Sequence, residues 1–552
     1  MKTSNIAIVA VVLVIIVAGG AFYFMSKPSP SPSPSPSPSP SPSPSPTVER
    51  GIARYAAAFP TAVDPTVRSD FSTRRCCTNL YDVLVYPNYD GEMEGKAAEK
   101  WEISEDGLTY TFYIRKGIKL HDGTELNAED VAFSMQRYLD IGGGFAAWFT
   151  RYVTDVTLID DWTVQFTLSQ SYTPFLYRLT TLFILNKDLI MDNLKEGAYG
   201  EFGDYGQDYL TMVDAGSGPY KVKEFRLEEV LIMELFEDYW GEIKPRAPKE
   251  VHQIGTVEPM TVRTMMKNGE LEITDQWQSP ENLEALDAIP GVEIANLQAG
   301  SYVDIHLNNG RKPTDCVHFR RALSYLVDYD TVAKVWPQSS RLMGPVPSYV
   351  AGFKEDIDYP VFDLEKAEEE FKKSKYYGDE EAVFDLWWSA DVPVEEKICL
   401  SIAENAEKIG MKIMVTKAPW FKCSEARVVK ELCPNGMVLI SSIAYPEAGA
   451  LLENFHSVYK ASNFLWVENA TVDALLEDML ATIDQEERFQ KLYDLQDISI
   501  DQAFMIYILM IPEQHAYVTE YMDWPAAEGQ VIPLMGANHR WELIEIYPEL
   551  KP

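Results

Sequence analysis

A chain of 552 residues with 46% hydrophobic and 24% charged side chains has the composition of a globular protein and is too long for a single core. Its formal net charge of −36 argues against nucleic acid or an anionic lipid surface as a partner, because both would repel it. The six cysteines form no C-x-x-C pair and the seven histidines are scattered, so neither a metal nor a cofactor is expected.

In chain order, the first element is the uncharged run Ile6 to Met25, "IAIVAVVLVIIVAGGAFYFM". At about 1.5 Å per residue it matches a hydrocarbon core of about 30 Å, so residues 1–26 are expected to be a transmembrane anchor. A cleaved secretory signal, with "AGGA" (Ala18 to Ala21) supplying the small residues of a cleavage site, is the alternative reading. Residues 27–49 alternate Ser and Pro almost throughout, which predicts an extended polyproline spacer of roughly 3 Å per residue. Lys2 and the amino terminus precede the apolar run, which favours the amino terminus inside and the long remainder outside.

From there strand and helix periods alternate, the pattern of an α/β protein. In "GLTYTFYIRKGIKLHDGTELNAEDVAFSMQRYLD", Leu108, Tyr110, Phe112 and Ile114 alternate with polar residues and predict a half-buried strand. "HDGT" then reads as a turn, and Asn127 with Asp130 as the capping box of a helix. "YKVKEF" and "VLIMELF" predict a hairpin around "RLEE", closed by Tyr239-Trp240-Gly241. In "FRRALSYLVDYD" a helix turns Leu323, Leu326 and Val327 inward, and a second helix starts at an Asp. Outside a cell disulfides are expected, with connectivity left open; Cys423 and Cys433 flank a short loop that such a bridge would close, while Cys399 reads equally as a core thiol.

Four blocks, "WEISEDGLTYTFYIRKGIKLHDGTELNAEDVAFSMQR", "GSGPYKVKEF…EDYWG", "FRRALSYLVDYD" and "GPVPSY" (Gly344 to Tyr349), resemble the successive signatures of the family 5 extracellular solute-binding proteins. The resemblance covers about Gly51 to Trp524. It implies a two-lobed periplasmic-binding-protein-like fold of type II with an extra inserted subdomain. By that analogy residues 50–80, 205–300 and 511–552 form lobe I, 81–204 the insert and 301–510 lobe II, with two or three crossing strands as the hinge.

Peptide-binding members carry an aspartate just before a tyrosine in a "W-x-x-D-Y-x-D/E-P" stretch, and that carboxylate meets the ligand's amino group. The matching residues here are Ser441, Ala444, Tyr445 and Glu447 in "SSIAYPEAG". The aspartate is thus replaced by Ala444, which removes a charge-assisted bond of about 1.5–3 kcal/mol; Glu447 is expected to substitute from a shifted position. Trp420 matches a pocket-wall position, and Trp277, Tyr302 and one of Trp387 and Trp388, taken as Trp388, fall at strand ends aimed at the cleft. Arg74 is expected either to meet a ligand carboxylate or hydroxyl or to be solvated.

The resemblance therefore implies an importer receptor without catalytic residues. It captures a peptide or, alternatively, an oligosaccharide, delivers it to an ABC permease, and is held at the cell membrane by a single-pass helix with its folded part outside. The alternatives to this class are a tethered hydrolase and a non-transporting sensor. No G-x-S-x-G or H-E-x-x-H motif supports the hydrolase, and acidic pairs such as Asp356 and Asp358 are ordinary on an acidic surface.

Overall fold

The alternating stretch around Tyr110 becomes the strand Thr109–Ile114, with Tyr110, Phe112 and Ile114 buried. It lies between Ala98–Ile103 and Thr163–Leu168, and Val153–Asp160 completes a four-stranded antiparallel sheet. The computed structural model describes residues 49–551, except 68–69, 145, 147–148, 228, 256–257, 337, 391, 393, 428, 444–445, 461–463 and the side chains of 420, 421 and 424. The expected anchor (1–26) and nearly all of the Ser-Pro spacer thus lie outside the described residues. Among those described, no helix is long and apolar enough to cross a membrane.

Local chemistry explains the elements around that sheet. The helix Ala128–Ile141 starts with reciprocal bonds, Glu129 N to Asn127 Oδ1 and Asn127 N to Asp130 Oδ2, and stops at Gly142 with φ 64°. The "HDGT" turn is a joint. His121 donates from Nε2 to the Gly218 carbonyl at 3.0 Å and also meets Asp214, while Asp122 accepts from Thr124 N and Asn186.

A second sheet orders Ile52–Ala56, Glu250–Ile254, Val230–Leu235 and Tyr220–Arg226, the last pair being the expected hairpin. A third, six-stranded sheet orders Ser340–Arg341, Met505–Val518, Val292–Leu307, Gly436–Ser442, Val383–Ser389 and Lys412–Ala418. The last three run parallel.

Two strands belong to both halves of the molecule. Val292, Ala295 and Leu297 pack into the core around the second sheet, whereas Val303, Ile305 and Leu307 of the same strand pack under the six-stranded sheet. The antiparallel partner Met505–Val518 does the same in reverse, with Ile508 and Ile511 in one core and Ala516 and Val518 in the other. Their register breaks between Leu297 and Ser301, so the chain crosses between cores where the ladder is weakest.

The first of these sheets does not keep a core to itself. Its Phe112 and Phe166, with Phe175 of the following helix Phe175–Arg178, share one apolar cluster with Leu452, Leu476 and Leu492 from the helices after residue 447. Glu453, fully buried, fixes the joint by accepting from Tyr152 Oη (2.7 Å), Tyr172 Oη (2.9 Å), Arg178 Nη2 (2.6 Å) and Tyr459 Oη (3.0 Å). On the opposite flank, buried Arg137 forks onto Asp64. The expected disulfide is corrected. Cys423 and Cys433 are not bonded to each other; each buried thiol faces a backbone oxygen, of Ala418 and Phe464 respectively.

Candidate functional site

The strands Val383–Ser389, Lys412–Ala418 and Gly436–Ser442 end on one edge of the six-stranded sheet. Crevices outside the carboxyl ends of parallel strands are where open α/β sheets hold ligands, because successive loops leave the sheet there in diverging directions. Residues 390–394, the helix Trp420–Ala426 behind Pro419, and residues 443–447 follow those three ends. A cavity of about 340 Å³ opens at this edge, toward the small end of the roughly 300–1,000 Å³ usual for ligand pockets. Trp336, Val392 and Lys397 line it from the six-stranded half, Gln276 and Trp277 from the other half, and Ser301 and Glu513 from the two crossing strands.

The wall that carries Gln276 and Trp277 is a braced loop. Asp275 Oδ1 accepts from Trp277 N at 3.0 Å and Gln278 Nε2 at 2.9 Å, and Ser279 caps the helix Pro280–Asp287 by accepting from Asn282 N. The Trp277 indole is left 55% exposed at the mouth. At the floor Ser301 Oγ lies 3.1 Å from Ser442 Oγ and donates to Glu513 Oε1 at 3.3 Å, with Glu513 itself buried. Glu395, near the cavity in the first turn of the helix Glu395–Lys408, accepts from Ser389 N. Burial, opposed by that bond, pushes its carboxyl up to about 8.

The residues singled out from sequence separate into groups. Tyr302 and Ser441 are cross-strand partners and are brought together on the sheet face opposite Ser301. They gather around fully buried Asp304, whose Oδ1 accepts from Ser441 Oγ at 3.3 Å and lies 3.3 Å from His306 Nε2. Burial first, then Asp304, holds the Tyr302 phenol well above its ordinary range. Ala444, Tyr445 and the Trp420 side chain lie outside the described residues.

Three expectations are corrected. Trp388 is 2% exposed and sits among Phe384, Leu386 and Ile398 in the core; strand alternation turns its neighbour Trp387 to the other face, where Nε1 donates to Asp385. Glu447 caps the helix Ala448–Leu452 through Ala450 N at 2.7 Å and pairs with Arg488, so its carboxylate is structural. Arg74 is neither solvated nor on the cavity wall: it is 1% exposed, donates to Thr180 Oγ1 at 3.3 Å, and burial lowers its pKa to about 10.

Gln276, Ser301, Glu513 and Trp336 carry no sequence motif and become neighbours only in the folded chain. Arg74 and Arg75 are neighbours in "STRRCC". Adjacent helical positions differ by about 100°, and it is Arg75 that donates to cavity-lining Gln276, at 3.1 Å.

Comparison with known proteins agrees with this geometry. Residues 92–461 match the family described as "Bacterial extracellular solute-binding proteins, family 5 Middle". A probable D,D-dipeptide-binding periplasmic protein of Escherichia coli strain K12 is 27% identical over 475 residues, covering 82% of this chain and 87% of that protein. A dipeptide-binding protein of the same organism is 27% identical over 376 residues, covering 62% and 68%. Among solved structures, an ABC transporter-associated periplasmic binding protein from Helicobacter pylori, in complex with the peptide STSA, superposes with a TM-score of 0.76. It is 21% identical and covers 90% of this chain and 98% of that one, a likeness of fold. With two thirds of its length inside the family match and two halves joined by crossing strands around a cleft, the chain belongs to the family 5 bacterial extracellular solute-binding proteins.

Proposed function

We propose that this protein is the extracellular receptor of an ABC importer, which captures a peptide-type solute in the cleft and hands it unaltered to a membrane permease. The observation that carries the reading is the cavity at the ends of three parallel strands, lined from both halves and floored by the strands that cross between them. A solute held there touches both lobes only when they are closed, so binding shifts the population toward the closed form. In this reading residues 50–80, 205–300 and 511–552 move as one lobe against 301–510. Residues 1–26 anchor the protein and 27–49 space it from the bilayer, with the folded part outside. A tether of this kind raises the receptor's effective concentration at its permease.

An oligosaccharide is the second reading, favoured by two indole-bearing residues, Trp277 and Trp336, on the same cavity, since flat aromatic faces suit sugar rings. Calorimetry of the purified protein with di- to tetrapeptides and with cello- and manno-oligosaccharides, paired with small-angle scattering, separates the two. Micromolar or tighter binding of a peptide with a fall in radius of gyration is expected. Binding of sugars alone would move the assignment to the second reading, and chemical conversion of a bound solute would overturn both.

A further inference from the structure

Beside the cleft, lobe I holds a buried polar centre that the fold does not satisfy. Arg75, on the helix Phe71–Leu80, is 4% exposed, and its guanidinium lies 4.7 Å from the Phe71 ring and 5.8 Å from the Tyr55 ring. Nη2 donates to Gln276, but Nε and Nη1 are buried with no hydrogen-bond partner, and no carboxylate stands within ion-pair distance among the described residues. Tyr55 packs on Trp541 at 5.1 Å and His539 at 6.3 Å, and His539 on His515 at 5.0 Å. Trp541 Nε1 and the Nε2 atoms of His515 and His539 are also buried without a hydrogen-bond partner.

Buried donors without a protein partner are rare in folded proteins, and a buried cation without a counter-ion is rarer. The nearby acid, Glu513, is engaged by Ser301 and lies 3.8 Å from His515 Nε2. We propose that this centre is a subsite for a carboxylate of the captured solute, held by the Arg75 fork with the Trp541 and His539 ring nitrogens beside it. The planar guanidinium matches a carboxylate in two parallel bonds. Gln276, which lines the cavity and bonds Arg75, is the gate: its amide oxygen occupies Nη2 until the solute's carboxylate takes its place. Burial, with Arg75 and His515 nearby, holds His539 well below the ordinary histidine range, so its ring stays neutral and Arg75 supplies the charge.

The inference rests on the solute-capture reading and narrows it to solutes with a free carboxylate. Calorimetry on the purified full-length protein with Ala-Phe, trialanine and their C-terminal amides tests it. The acids should bind at least about tenfold tighter than the amides. Arg75→Gln should shrink that ratio to within about twofold, and Trp541→Phe, which keeps the ring and deletes the donor, should give an intermediate ratio. Acetate titration, read by NMR on the His539 ring nitrogens, should give a saturable shift absent from Arg75→Gln. Acids and amides binding equally, or an acetate response that Arg75→Gln leaves unchanged, would overturn the subsite and leave an internal water as the occupant. If no peptide binds while acetate still moves His539 through Arg75, the subsite stands and the peptide reading fails.

Discussion

Replacing Glu453 by Gln tests how the segment carrying Tyr152, Tyr172 and Arg178 is fastened to the helices after residue 447. The carboxylate receives four hydrogen bonds, from Tyr152, Tyr172, Arg178 and Tyr459, at zero exposure. An amide keeps one acceptor for Tyr152 and Tyr459, but it turns an NH₂ toward Arg178 Nη2 and Tyr172 Oη. At least two charge-assisted bonds, each about 1.5–3 kcal/mol, are lost. Arg178, 1% exposed, keeps its charge without the buried carboxylate, and breaking such a pair costs about 3–5 kcal/mol. Urea denaturation followed by tryptophan fluorescence, with hydrogen exchange on residues 448–459, should show that loss concentrated at this joint. The double variant Glu453→Leu/Arg178→Met should recover most of it, because an apolar pair of similar volume removes both buried charges. A loss below about 1 kcal/mol, or a double variant no better than the single, would refute the argument.

Trp388→Ala should cost about 3–5 kcal/mol of stability, whereas Trp277→Ala should leave the melting profile nearly unchanged and weaken solute binding; thermal melts and calorimetry on both variants check this, and the reverse pattern would exchange their roles. Glu395 should make stability fall with rising pH, because between about pH 4.5 and 8 the folded chain keeps a proton that the unfolded chain has lost. Glu395→Gln should remove that component, so that the variant gains on the wild type through the window by on the order of a few kcal/mol; a pH-independent difference in urea midpoints would contradict the assignment. Ala444→Asp should tighten binding of peptides with a free amino terminus over their N-acetylated forms, and no change in that ratio would show that the expected amine contact does not form at this position.

Local chemistry was legible without coordinates. The capping box at Asn127, the strand through Tyr110, the hairpin after Gly218 and the inward face of Leu323 each depend on residues within a few positions, and each is found in the fold. The cleft residues were not legible in the same way, because phase decides them. One step along a strand separates core Trp388 from Trp387, and one step along a helix separates interior Arg74 from Arg75 beside the cavity. Sequence alone determined an α/β chain with these elements and this family. Tertiary structure decided that Ser301, Gln276 and Glu513 meet, that Glu453 clamps Tyr152 from some 300 residues away in the chain, and that Glu447 belongs to Arg488. These are contacts between distant segments, and their energies depend on burial that no local pattern encodes.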